Sequence, residues 1–241
     1  MKLHKTLTIN GAQVHLNTED LRLDLFNPGR AVFDVEPNAE IKGLVVFSSG
    51  YDPQQLQQVF FGYVENTFQI DKKQHRVFCR ELCASLSRLV PVSLRNATIN
   101  EILRAISTET GLQFVTPDKP YSQKTTPVYF SVGSGYACLD SLAEVFEIPQ
   151  FIWQQQGDGK VFVGGWLDSF WGGKNINLPV DMQSNTGLAN SARIACMPKL
   201  RPGVFINGNS YITKVHWDGQ HQNIEWDKNP WGTRWTNRSS V

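Results

Sequence analysis

The chain has no apolar run approaching the roughly 20 residues that cross a bilayer as a helix, so no membrane span is expected. It also lacks a charge surplus. With 23 Lys and Arg against 22 Asp and Glu, the formal net charge is +1. A chain so balanced has no whole-molecule attraction for nucleic acid or anionic lipid, and no nucleic-acid sequence recognition is expected. Met1–Asn10 carries basic residues but turns alternating almost at once and has no apolar core of a leader peptide; synthesis and residence in a cytoplasm follow as the expectation. Cysteine is scarce: Cys79, Cys83, Cys138 and Cys196. Cys79 and Cys83 are four apart, but without nearby His or further Cys they make a poor metal site, so structural thiols are expected.

Catalytic signals are missing as well. Gly62, Gly133, Gly135, Gly164 and Gly165 are never followed by the Lys-Ser or Lys-Thr of a phosphate loop. The histidines are scattered at His4, His15, His75, His216 and His221; the last two face each other across a hairpin turn, yet no third ligand is close in sequence. Asp140 sits on the polar side of an expected helix and Asp158 between two glycines, neither with an acid or base partner. Asn237-Arg-Ser239 fits the glycan acceptor pattern, a match expected to be chance where no leader is expected. Asp71-Lys-Lys-Gln-His-Arg76 is a solvated hairpin tip whose functional reading is contact with an acidic partner. No catalytic, cofactor-binding or metal residue is assigned. The chain is expected to be no enzyme and to need no cofactor.

What is present is a segment that comes twice. Thr98–Val115 reads as a helix with a capping box at Thr98 and Glu101, an apolar face of Ile99, Ile102, Leu103 and Ile106, a stop at Gly111 and then a strand. Ser134–Val163 repeats the face with Leu139, Leu142, Ala143 and Phe146. There Pro149 is expected to end the helix, and strands Phe151–Trp153 and Val161–Val163 flank Gly157-Asp-Gly159. Before this module, residues 1–90 alternate in about six strands. Asn10-Gly11 makes a tight hairpin signal, and Gln58–Glu65 pairs naturally with Arg76–Arg80. The expected organisation is an N-terminal β-barrel-like domain over 1–90 and an α/β module of two helix-strand units over 91–168. A linker or arm over 169–190 and C-terminal β hairpins with an extended tail over 191–241 complete it. The fold class is α+β, mainly β, with small barrels flanking the α/β module.

In the order of these parts the chain resembles the baseplate or tail hub proteins of tailed bacteriophages, whose fold also underlies the base of the type VI secretion spike. Val59-Phe-Phe-Gly-Tyr-Val64 with Val77-Phe-Cys-Arg80 looks like a hairpin of their first barrel. Ala97–Leu103 with Thr110–Phe114, and Asp140–Ala143 with Trp153 and Asp158–Gly164, look like the helix-strand steps of their middle domain. Arg201-Pro-Gly203, Asn207-Gly208 and Ile212–Trp217 look like a late barrel hairpin. Many hubs are longer, with two complete barrels; here the last strands form either a reduced second barrel or the completion of the first. The resemblance implies a structural virion protein of the tail tip or baseplate, assembled in the host cytoplasm. It implies a homotrimer whose partners are a tail tube or distal tail protein on one side and a spike or central fibre protein on the other. Two rival classes remain: a carbohydrate- or peptidoglycan-binding module or small cell-wall hydrolase, with Trp171, Trp226, Trp231 and Trp235 stacking on sugars, and a secretin-like periplasmic module. The arm Trp166–Asn190 or the Trp-bearing tail of one subunit is expected to lie on its neighbour.

Overall fold

The computed structural model describes residues 2–36, 40–179, 184–185 and 189–232. The chain divides into two compact units, Met1–Glu81 with Lys174–Val241, and Leu82–Gly173. The second is therefore an insertion in the first. The sequence reading drew the middle module at 91–168; the compact unit begins nine residues earlier, because Cys83, Ala84 and Leu86 of a 3-10 turn, Leu82–Ser87, are buried.

The strands of the first unit are β1 (His4–Ile9), β2 (Ala12–Asp24), β3 (Arg30–Glu36), β4 (Leu44–Gly50), β5 (Gln57–Gln69) and β6 (His75–Glu81). Their hydrogen-bonded order, β1-β4-β5-β6-β3-β2, closes on itself because β1 also pairs with β2. The result is a closed six-stranded barrel. Asn10 and Gly11 both take positive φ, 50° and 80°, which a two-residue β1–β2 turn requires and asparagine and glycine tolerate. At Gly62 a Cβ would lie 2.0 Å from the Arg80 carbonyl oxygen, so the close β5–β6 approach admits only glycine. The interior is aromatic: Phe33 lies 5.5 Å from Phe47 and 6.2 Å from Phe60, and Phe47 meets Trp217 edge-on at 6.0 Å.

Trp217 comes from the far end of the chain. The C-terminal strands are β12 (Asn175–Ile176), β13 (Ser184–Asn185), β14 (Ser191–Ala195), β15 (Phe205–Ile206), β16 (Ser210–Asp218) and β17 (His221–Asp227). They continue the first sheet rather than building another: β16 pairs with β2, and β17 and β14 follow. One edge of β2 is thus divided. Val14 and its neighbours face β1, and Asp20–Asp24 face β16. Lys5 lies at the changeover, where its ammonium pairs with the buried Glu19 and donates to the Gly219 carbonyl at 2.7 Å.

The segment expected to lie on a neighbour is, where described, part of its own unit. β12 pairs with β15, the Leu178 N–H donates to Asn207 at 2.8 Å, and Trp231 is buried with its ring edge-on to Tyr211 at 4.9 Å. Residues 180–183, 186–188 and 233–241, including Trp235, lie outside the described residues.

The inserted unit contains β7 (Val92–Thr98), α1 (Ile99–Thr110), β8 (Phe114–Val115), α2 (Pro120–Gln123), β9 (Thr125–Ser131), α3 (Gly135–Val145), β10 (Phe151–Gln155) and β11 (Val161–Gly165). The Thr98 capping box is complete: the Glu101 N–H donates to Thr98 Oγ1 at 3.4 Å, and the Thr98 N–H donates to the Glu101 carboxylate at 2.8 Å. Gly111 turns left-handed at φ 74°. Ile99, Ile102, Leu103 and Ile106 are buried, as are Leu139, Leu142, Ala143 and Phe146. The two helix-strand copies meet in one sheet, with β8 parallel to β11 and β10 antiparallel beyond it. α3 closes four residues before Pro149, at Val145, with Glu147 at φ 52°. The turn is made there, and the proline follows it.

Two expectations test this account. Ile102→Asp places a carboxylate without a partner in the core and should unfold the inserted unit, whereas Thr98→Ala should cost about 1 kcal/mol. A wild-type melting temperature for Ile102→Asp would contradict the assigned face. The buried Glu81 carboxylate takes the half-buried Arg201 guanidinium at 3.1 Å. Glu81→Gln should cost about 3–5 kcal/mol by leaving that guanidinium without its counter-charge, and Glu81→Gln with Arg201→Met should cost less than that. Denaturant unfolding of the set decides it, and an unaltered midpoint for Glu81→Gln would remove the role given to the pair.

Candidate assembly surface

Asp140, Asp158, His216 and His221 each take a local structural partner. The four thiols are free and buried; burial pushes Cys79 and Cys196 up to about 12, out of reach of nucleophilic work at neutral pH. Asp140 accepts from the Trp153 indole N–H at 2.9 Å, and Trp153 stacks on Tyr136 with centroids 5.6 Å apart. Asp158 shapes the β10–β11 turn through the Lys160 N–H at 3.1 Å. His216 and His221 take different partners: His216 Nε2 lies 3.2 Å from Asp20, and His221 Nδ1 lies 3.2 Å from Arg193. Among the described residues no three His, Cys, Asp or Glu gather as a metal would need. No described helix is long and apolar enough to cross a membrane.

The tryptophans offered for sugar stacking, where described, have local ring or strand neighbours. Trp231 is packed against Tyr211, Trp226 is half-buried in β17, and Trp171, in the other unit, meets Phe170 edge-on at 4.9 Å. The basic hairpin tip is built as expected: Asp71 accepts from the Lys73 and Gln74 N–H groups at 2.7 and 2.8 Å, which holds its carboxyl below the ordinary range.

The surface that sequence reading missed is a two-stranded ribbon, β7 with β9. Its inner face is core: Tyr129 is buried, and its hydroxyl donates to the Cys138 carbonyl at 2.9 Å. Its outer face is apolar and open to solvent. Val128 is 63% exposed and Phe130 68%, standing opposite Arg95 and Ser93, with Val132 at 64% and Leu89 at 74% at the end of the ribbon. The ribbon forms its own sheet, and among the described residues no further strand pairs with either edge. Apolar residues on both faces of β9 erase the alternation that marks a half-buried strand, and Pro127 weakens the signal again. The signal that could have found it was the run Val128–Val132 itself, with four apolar residues in five between polar flanks. A contiguous apolar patch with free backbone edges is costly in water and marks a contact surface.

No family model matches the sequence. A 58.7 kDa uncharacterised protein of Haemophilus phage HP1 (strain HP1c1) is 32% identical over 221 residues, covering 91% of this chain; the chain spans 41% of that protein's length. Among solved structures, the 43 kDa tail protein of prophage MuSo2 from Shewanella oneidensis superposes over 94% of this chain and 97% of its own, with TM-score 0.68 at 10% identity. A tail protein of Neisseria meningitidis MC58 does so over 96% and 98%, with TM-score 0.67 at 8% identity. An Escherichia coli component of the type VI secretion system, itself similar to the T4 bacteriophage tail proteins gp27 and gp5, matches over 92% and 76%, with TM-score 0.58 at 14% identity. The fold is that of phage tail proteins and of this secretion component, mainly β around a six-stranded barrel.

If the ribbon is a contact surface, Val128→Ser with Phe130→Ser should leave the melting temperature within a few degrees of wild type, since both side chains already meet water. The same pair should weaken self-association several-fold in sedimentation equilibrium. Unaltered association would discard the ribbon as the contact.

Proposed function

We propose that the chain is a structural, non-enzymatic component of a phage tail tip or baseplate: a homotrimeric hub that joins a sixfold tail tube to a threefold spike or fibre and acts in the virion after assembly in the host cytoplasm. The observation that carries this reading is the apolar ribbon β7–β9, set in a fold shared over nearly the whole chain with phage tail proteins. The phage origin of the sequence relative supports it further. A protein that works by chemistry gathers perturbed groups in a cleft. Here the described titratable groups serve turns, caps and ion pairs, and Val128 and Phe130 stand exposed on a strand that, among the described residues, pairs with β7 alone.

Symmetry turns that surface into a ring. One heterologous contact repeated with closure would bury the ribbon of every copy, and the resemblance to tail hubs supports three copies. The partners in this reading are a tail tube or distal tail protein and a spike or central fibre protein.

Light scattering across a concentration series tests the proposal. A mass three times that of the chain, reached at high concentration or on mixing with tail-tube or spike protein, is the expected result. A chain that stays monomeric with both partners present would overturn the hub reading.

A further inference from the structure

A second surface lies on the barrel unit, where register across four strands assembles it. Arg22 of β2 stands directly opposite Arg30 of β3, and Arg30 directly opposite Arg80 of β6; Tyr63 of β5 extends the row on one side and His216 of β16 on the other. Directly opposed side chains sit about 5 Å apart at Cβ, and like charges in that relation repel. The outer two arginines are neutralised from the side: Arg22 donates twice to Asp20, at 2.8 and 2.9 Å, and Arg80 donates to Glu65 at 3.2 Å. Arg30, exposed between them, has no carboxylate within ion-pair distance among the described residues. A hollow of ≈ 450 Å³ opens over the row, bounded by Arg22, Arg30, Arg80, Lys214 and His216.

Beside this row the surface turns apolar. Phe78 stands opposite Asn66 and Phe68 opposite Arg76, so the two rings are diagonal neighbours on the outside of the β5–β6 hairpin. Phe68 is 65% exposed, and Ile70 follows it on the same strand face. The hairpin stays hydrogen-bonded towards its tip, where the Ile70 N–H donates to the Gln74 carbonyl at 2.9 Å. Tyrosine, phenylalanine and arginine side by side are the composition of a protein contact rather than of ordinary solvated surface.

We propose that this outer face of β2-β3-β6-β5 docks a protein other than a second copy of this chain, one that sets a carboxylate against Arg30 and apolar side chains against Phe68 and Phe78. The guanidinium fork takes a carboxylate through two parallel hydrogen bonds, and the neighbouring rings strengthen the pair by excluding water. A phosphate backbone fits poorly, because Asp20, Asp24, Asp34 and Glu65 flank the arginines on the same face and would repel a continuous polyanion. The proposal rests on the assembly reading in one respect: contact between copies is already given to the β7–β9 ribbon of the inserted unit.

The test uses the full chain and, as probe, a decapeptide of alternating leucine and glutamate, with decathymidylate as the phosphate control. Saturable peptide binding is expected, with the Kd rising at least fivefold in both Arg30→Gln and Phe68→Ser, no change in Lys73→Gln at the hairpin tip, and at least tenfold weaker binding of decathymidylate. Both substituted positions are exposed, so the fold and the mass in solution should not move. Absence of saturable binding, or decathymidylate binding as tightly as the peptide, would overturn the proposal. So would a loss of self-association in Arg30→Gln, which would give the face to a second copy. A monomeric mass with peptide binding intact would discard the trimer and support this face.

Discussion

A buried ion pair holds the first unit together where the chain leaves it. Glu81 is the last residue of the barrel before the insertion, and its carboxylate takes the Arg201 guanidinium at 3.1 Å and the Gly29 N–H at 2.6 Å. Arg201 also donates to the Val59 carbonyl at 2.9 Å. Three barrel elements and the returning segment are thereby fixed to one another. Gly29 is needed for its bareness, since a Cβ there would lie 2.7 Å from Leu23 and 2.9 Å from the Glu81 carboxyl carbon. Burial pushes the Glu81 carboxyl up, while Arg201 and the Gly29 N–H pull it back towards the charged form. Such a pair adds little net stability over an apolar equivalent, but losing either partner strands a charge, so it enforces one way of closing the unit.

The second constraint is the divided edge of β2. A barrel closed by β1 along the whole strand would leave no place for the chain's return. Because β1 pairs only with the first part of β2, the free remainder takes β16, and Trp217 enters the aromatic core beside Phe47. The C-terminal strands therefore extend the barrel sheet, with Lys5 and Glu19 filling the changeover. The alternatives left open by sequence, a reduced second barrel or completion of the first, differ only in such long-range pairing, which no local pattern encodes.

What was legible followed from local rules. The Thr98–Glu101 capping box, the Asn10-Gly11 hairpin, the apolar faces of α1 and α3 and the β5–β6 pairing rest on spacings of a few residues and stand as read. What was not legible depended on partners distant in sequence. The β7–β9 ribbon was hidden because Val128 and Phe130 face water while Tyr129 faces the core, and the Arg22–Arg30–Arg80 row exists only through register. Trp231 and Leu178 were read as waiting for a neighbour, yet they are covered by their own unit through Tyr211 and Asn207. Breaker-rich sequence signalled irregular backbone there, and irregular backbone packs as well as regular strand when its polar groups are satisfied.

In the proposed assembly the apolar strand β9 joins copies of this chain. Amide hydrogen exchange of β9, compared between dilute protein and the assembled state, measures that contact most directly. Slower exchange confined to Val128–Val132 and the facing part of β7 is the predicted result. Equal exchange at those amides in a sample shown by mass to be assembled would contradict the account.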